Sequence, residues 1–219
     1  ILYILALFLI SITVYLSKPF FYDYNVTKTV LERKIHKNFD LNTTIKGTIK
    51  YSFFPRPKLI VQDIDLLKNK RTIGNVKKIE INIPFKEVSK LKSYNFDNTH
   101  IFNPQLNLEI DNLQSFLSHK FKKNTKIKNG KINFYEKGKF LFYLDLLEAE
   151  YIVDDHIDEV KLNILFLNEK INFLFRNNKK KTKPFKVIYT KIKNLNFSSN
   201  IKFYDDKNKK HAYFGQLIL

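Results

Sequence analysis

Residues 45–66 read IKGTIKYSFFPRPKLIVQDIDL, and two runs within this stretch each alternate apolar and polar side chains. In the first run, apolar residues occupy positions 49, 51 and 53, and polar residues lie between them. This period of two is typical of a strand with one dry face and one wet face. After FFPRP the alternation resumes in LIVQDIDL with a different phase. Because proline donates no ladder hydrogen bond, the sequence predicts that FFPRP turns the chain at a sheet edge or corner.

The same alternation continues along most of the chain, for example in IEINI at 79–83 and LNLEI at 106–110. LNILF at 162–166 and INFLF at 171–175 flank a polar turn, which is typical of a hairpin. We expect a mainly β fold with about ten strands in an antiparallel sheet, one face apolar and the other rich in lysine. The sheet could cover its apolar face by packing on a second sheet or by closing into a barrel, or it could curl into a gutter that holds another molecule. Few long apolar helices are available as a lid, which keeps the gutter among these alternatives.

Residues 1–16 carry no charge, and the aromatic residues Phe20, Phe21, Tyr22 and Tyr24 follow them. A membrane span needs about 20 apolar residues, and aromatic rings favour the headgroup region. We therefore predict a membrane anchor over residues 1–24, with a body over 25–219. A signal peptide and a buried helix are the alternatives, but SKPFFYDY lacks the small residues of a cleavage site. The chain has no Met, and we expect a piece of a longer protein.

A short amphipathic helix is predicted at residues 27–39, where Leu31, Ile35 and Phe39 recur every four positions. It would either lie on lipid headgroups or plug the end of a sheet. Further short helices are expected at 85–91 and 112–121, with a solvated loop at 177–183. The basic residues of this amphipathic helix lie just after the apolar run. By the positive-inside rule, this favours a cytoplasmic location of the body. Charge alone leaves the orientation open.

The net charge of +18 suggests a nucleic acid or an acidic membrane as partner, but nearly all basic residues are lysine. Lys, Ile, Asn, Phe and Tyr are the residues of AT-rich codons. An AT-rich genome is therefore a simpler explanation of the high positive charge. Aromatic residues and lysines alternate, so we expect them on opposite faces and expect no nucleic-acid binding. No nucleotide-binding glycine loop or nucleophile motif occurs, and DDHIDE at 154–159 is typical of a charged turn. We expect no enzyme, metal or cofactor.

The opening stretch resembles the start of the AsmA family of bacterial envelope proteins, which combine a membrane anchor, a short helix and then a segment of the pattern G-x-I-x-y-S-x-x-P-x-P-x-l-x-v-x-d-i-x-L. The matching positions are Gly47, Ile49, Tyr51, Ser52, Pro55, Pro57, Leu59, Val61, Asp63, Ile64 and Leu66. The likeness continues through IGNVKKIEINIPFKEVSKLK at 73–92, FNPQLNLEID at 102–111 and IKNGKINFYE at 127–136, where Glu136 replaces the usual Asp. It covers residues 1–136, and beyond them only strand pattern and composition agree.

The resemblance implies a single-pass inner-membrane protein with its body in the periplasm, similar to bridge-like lipid transfer proteins. Phospholipid acyl chains would lie in a curled hydrophobic β-groove and move towards the outer membrane. The alternative is a non-transporting factor that assists outer-membrane protein biogenesis through envelope protein partners. The expected groove-lining residues are Ile49, Tyr51, Phe53, Ile79, Ile81, Ile83, Leu106, Leu108, Ile110, Ile132, Phe134, Leu162, Ile164 and Phe166.

Overall fold

The computed structural model describes residues 2–24, 26–39, 41–68, 71–85, 88, 98–112, 123–179, 185–205 and 211–218. Within them, twelve strands form one sheet that does not close into a barrel. This confirms the predicted mainly β fold, preceded by an apolar helix and a second short helix. The helices predicted at 85–91 and 112–121 fall mostly outside the described residues. Asn177 and Asn178, predicted as the start of a loop, instead end a strand.

The apolar N-terminal run is helical, as predicted. Helix α1 spans Leu2–Ser17, and a 3-10 turn at Lys18–Phe21 continues it. Together these 20 residues are long and apolar enough to cross a membrane, and they are almost wholly exposed. A membrane span and a signal sequence share these properties.

Helix α2 spans Lys28–Phe39 and confirms the predicted amphipathic helix. Leu31, Ile35 and Phe39 form one stripe, since residues four apart lie on the same face of a helix. All three are at most 5% exposed, because they pack on the sheet. The helix therefore plugs part of the sheet, one of the two roles that its sequence allowed.

The strands are β1 Asn42–Ile45, β2 Ile49–Ser52, β3 Lys58–Lys68, β4 Arg71–Asn82, β5 Thr99–Glu109, β6 Thr125–Glu136, β7 Lys139–Val153, β8 Ile157–Phe166, β9 Glu169–Asn178, β10 Phe185–Ile192, β11 Phe197–Asp205 and β12 His211–Ile218. The spatial order follows the chain from β3 to β12, with β1 and β2 both paired to β3 at one edge. The FFPRP segment connects β2 to β3, which confirms its predicted place at a sheet edge.

The sheet is mixed, so the prediction of a purely antiparallel sheet was wrong at one pair. Strands β5 and β6 are parallel, with Thr99 opposite Thr125 and Glu109 opposite Tyr135. A parallel neighbour requires the chain to return to the same end of the sheet between Glu109 and Thr125. An alternation of period two specifies which side chains share a face but carries no information on strand direction.

A row of irregular residues crosses the sheet, and the change of phase in the opening stretch occurs at one of them, Asp63. The prediction that the phase changes across FFPRP was wrong, because Leu59 and Val61 are buried in the same phase as Ile49 and Tyr51. Asp63, Lys77, Asn103 and Asn129 lie opposite one another on β3 to β6, and we call them the kink row. Asp63, Asn103 and Asn129 have φ of 50°, 50° and 54°. Asp and Asn tolerate this left-handed conformation better than most residues. The kink row shifts the alternation by one residue in neighbouring strands together, so the apolar side chains stay on one face.

A β-bulge lies at each end of the kink row. At the β1–β2 edge, Lys46 and Gly47 both donate backbone hydrogen bonds to the Asp63 carbonyl, at 2.9 and 3.2 Å. A Cβ at Gly47 would lie 2.5 Å from the Gln62 carbonyl oxygen, so the close approach requires glycine. On the other side, the register between β7 and β8 shifts at Leu147. An extra residue absorbed at each flank lets strands beyond it keep a regular pleat.

Candidate functional site

The candidate site is the face of the sheet that carries α2, which we call the inner face. Cross-strand partners share a face, so the register follows this face from strand to strand. One row across ten strands reads Val61, Ile79, Ile101, Ile127, Ala149, Leu162, Phe173, Thr190, Ser199 and Leu217. This row is apolar from β3 to β9 and becomes mildly polar at β10 and β11.

The inner face of β1 to β4 is sealed by the protein itself, and we call this region the closed core. Leu59, Val61, Ile64 and Ile81 are 0% exposed and belong to one buried cluster with the stripe of α2. Among the described residues, the cluster ends at β4, with Ile101 and Leu106 of β5 packed against its edge. The closed core therefore has no room for an outside ligand.

Beyond the closed core, from β6 to β11, the inner face is incompletely covered, and we call it the open face. Its strand residues are mostly half-buried, since each shelters its neighbours: Ile132, Leu144, Leu162, Ile164, Phe166, Ile171, Phe173, Phe175, Ile188, Ile192, Phe197 and Ile201. Phe142 of β7 is 37% exposed on the same face. Only a few positions, such as Leu146 and Ala149, fall below a tenth exposed.

Aromatic rings line the open face near the turns that join β6 to β7 and β8 to β9. Phe134 stacks on Phe142 with ring centroids 4.8 Å apart, and Phe142 meets Phe166 edge-on at 5.6 Å. A surface cavity of about 470 Å³ lies at the same turns, but Tyr143, Asp145 and Leu165 of the outer face line it, so it is not part of the open face.

The outer face of the sheet is charged and internally paired. Glu159 accepts hydrogen bonds from Arg176 at 2.6 Å and Lys161 at 2.9 Å, and Lys126 pairs with Glu148 at 2.7 Å. Burial favours a higher pKa for the Glu159 carboxyl, but the hydrogen bonds from Lys161 and Arg176 outweigh it and the pKa lies below its ordinary value. These pairs give the protein one wet face and leave the opposite face to apolar groups.

The predicted separation of aromatic residues from lysines is wrong at three places among the described residues of this outer face, one of them Lys202, which lies 4.3 Å from the centre of the Phe185 ring. The Lys78 ammonium lies 4.0 Å from the centre of the Phe102 ring, and Lys131 lies 4.0 Å from the Tyr143 ring. Cross-strand neighbours brought these residues together, because pairs on adjacent strands are not visible in a single strand's alternation.

The structure divides the predicted groove residues into three groups. Ile49, Tyr51, Ile79, Ile81 and Ile83 belong to the closed core, so these five do not line a groove. Phe53 lies in the β2–β3 loop and Ile110 in a 3-10 turn, 49% and 38% exposed, and both are away from the strand rows.

The remaining predicted residues lie on the inner face from β5 to β8. Leu108 and Phe134 are each 7% exposed, whereas Leu106, Ile132, Leu162, Ile164 and Phe166 are half-buried. The prediction omitted Leu144, Ile171, Phe173 and Phe175, although the same alternation marks them. It also had no means to find Ile188 and Ile192, because in β10 the more regular run of Phe185, Val187 and Tyr189 faces outward, with Val187 opposite Arg176.

The described part of the chain contains no cluster of side chains typical of a metal site. No group of three His, Asp or Glu side chains there is arranged to hold a metal ion. Of the DDHIDE segment, Asp154 and His156 lie in the β7–β8 turn, and Glu159 is engaged by Arg176 and Lys161.

Comparison with protein-family models, curated proteins and solved structures gives no match for this chain. The class of protein therefore rests on its architecture alone. In the described residues it is a mainly β protein with an open mixed sheet of twelve strands and an N-terminal apolar helix.

Proposed function

We propose that this chain is a membrane-anchored, AsmA-like protein that holds phospholipid acyl chains on its open face. In this proposal α1 crosses the inner membrane of a bacterial envelope and the body lies in the periplasm. The protein catalyses no reaction and conducts lipids towards the outer membrane. The apolar inner face that continues past the closed core, from β6 to β11, is the observation that supports the proposal.

Physical chemistry favours a hydrocarbon ligand for such a face. Covering apolar surface contributes about 25 cal/mol per Å², or about 0.8 kcal/mol for each buried CH₂ group. The half-buried side chains of Leu162, Ile164 and Phe173 offer that surface along neighbouring strands. Acyl chains need no directional hydrogen bond, so a row of Ile, Leu and Phe is sufficient to hold them.

Site-specific photocrosslinking in cells tests the proposal. A photoreactive phenylalanine analogue at Phe173 should crosslink to phospholipid, detected as an adduct labelled with radioactive phosphate. The same analogue at Asn172 is the matched control, because Asn172 lies on the outer face one residue away and is exposed. Phe8, which is 61% exposed on α1, controls for membrane lipid.

The outcomes separate the hypotheses. Lipid adducts at positions 8 and 173 but not 172 would support lipid binding by the open face. An adduct at position 8 alone would refute it. Protein adducts at position 173 in place of lipid would favour the alternative, a factor for outer-membrane protein assembly.

A further inference from the structure

Exposed aromatic rings surround the end of the apolar helix, and we call them the aromatic collar. Phe20, Phe21 and Tyr22 directly follow α1, Phe53 and Phe54 belong to the β2–β3 loop, and Phe85 follows β4. Their exposed fractions are 52%, 86%, 44%, 49%, 76% and 58%, respectively. Large rings left in water at one place mark a surface that contacts an apolar or interfacial partner.

Contacts hold the helix end and the two loops together. The Phe20 ring lies edge-on to Tyr51 at 5.1 Å and to Phe53 at 6.2 Å. Further back on the helix, the Tyr15 hydroxyl donates to the Phe85 carbonyl at 3.1 Å. Buried Pro19 accepts a hydrogen bond from the Tyr24 hydroxyl at 2.7 Å. The collar is thus fixed to the last turns of the helix.

The helix sets the depth of the collar in a membrane. Tyr15 and Phe20 lie on either side of Lys18, the first charged residue of the chain. A charged residue at the end of a span lies at the headgroup level. Loop residues that contact Tyr15 and Phe20 must lie at the same level. In a spanning helix, Phe53 and Phe85 therefore cannot reach bulk water without breaking these contacts.

The chemistry of the β2–β3 loop suits the headgroup region. Aromatic rings favour that region because it accommodates both apolar and polar atoms. Arg56 is exposed within the same loop and forms no ion pair with the described residues, so its charge is available to anionic headgroups. Buried Pro57 and the hydrogen bond from Ser52 Oγ to the Phe54 carbonyl at 3.2 Å restrict the loop.

We propose that the aromatic collar inserts into the headgroup region of an anionic phospholipid bilayer and fixes the β2–β3 end of the sheet against the membrane. The inference rests on the membrane span of the proposed function and not on lipid transport. In this arrangement the sheet lies against the membrane surface, because α1, the β2–β3 loop and the segment after β4 all hold it there.

Tryptophan fluorescence provides a clean test, since the chain contains no Trp. Phe54→Trp protein comprising residues 1–219 is reconstituted in vesicles of phosphatidylglycerol and phosphatidylcholine. Quenching is measured with lipids brominated near the headgroup, with lipids brominated deep in the chains, and with aqueous acrylamide. Phe8→Trp reports on the span. Leu195→Trp is the exposed control, because Leu195 lies in the β10–β11 turn at the opposite strand ends and is 62% exposed.

The proposal expects Phe54→Trp to be quenched most by the shallow brominated lipid and to be protected from acrylamide relative to Leu195→Trp. It expects Phe8→Trp to be quenched most by the deep brominated lipid. If position 54 behaves like position 195 while position 8 is quenched by lipid, the collar lies in water and this inference is wrong. If position 8 also escapes lipid quenching, the membrane span fails and both proposals fail with it.

Discussion

Gly47→Ala should destabilise the fold sharply, because the bulge at the sheet edge has no space for a methyl group. The new Cβ would lie 2.5 Å from the Gln62 carbonyl oxygen and 2.8 Å from its carbon. An ordinary carbon–oxygen contact is about 3.3 Å, so the edge and β3 would have to separate by about 0.8 Å. These are backbone atoms, and a side-chain rotation does not relieve the contact.

The separation would weaken three backbone hydrogen bonds. Lys46 and Gly47 donate to the Asp63 carbonyl at 2.9 and 3.2 Å, and Gln62 donates to the Thr48 carbonyl at 3.0 Å. Lengthening by about 0.8 Å takes each beyond hydrogen-bond distance. At about 0.5 to 1.5 kcal/mol for each bond, the free energy of unfolding should fall by about 1.5 to 4.5 kcal/mol.

Urea unfolding in mild detergent, followed by far-ultraviolet circular dichroism, measures this loss. Gly215→Ala in β12 is the matched control, because its Cβ would come no closer than 3.6 Å to another atom. The control should be neutral or slightly stabilising, since alanine restricts the unfolded chain more than glycine. Equal unfolding midpoints for Gly47→Ala and the unmodified protein would refute the steric argument.

Three further predictions concern the core and the outer face. Ile81→Ala should lower the free energy of unfolding by about 2 to 5 kcal/mol, because it leaves a cavity in the closed core where Ile81 is 0% exposed; a loss no larger than that of an exposed substitution would contradict this. The Tyr51 hydroxyl is buried without a hydrogen-bond partner in the described structure, so Tyr51→Phe should raise the unfolding free energy by about 1 kcal/mol, and a decrease in the urea midpoint would count against it. The folded-state pKa of Glu159 is depressed, so its hydrogen bonds to Lys161 and Arg176 contribute stability above the unfolded carboxyl pKa, and this is lost as the pH falls through the folded pKa. Glu159→Gln should therefore be less stable at neutral pH and lose less on acidification, and parallel pH profiles for both proteins would exclude this role.

The alternation of side chains determined much of the fold in advance. It located most of the strands, though not β1, and it found the hairpin of β8 and β9 and the strand ends around FFPRP, because a half-buried strand must repeat every two residues. The spacing of Leu31, Ile35 and Phe39 likewise predicted α2, since that stripe is buried in any amphipathic helix. The apolar run of α1 was equally plain from composition.

Only the tertiary structure decided how the strands meet. Alternation is the same for a parallel and an antiparallel neighbour, so the β5–β6 pair was invisible in the sequence. It also marks every apolar position equally, so it did not separate Ile81, buried in the closed core, from Ile164 on the open face. That distinction depends on which segments distant in the chain pack against each part of the inner face. The kink row arises in the same way: one Asp or Asn in a strand suggests little, and its meaning appears only when the register aligns Asp63, Asn103 and Asn129 across the sheet.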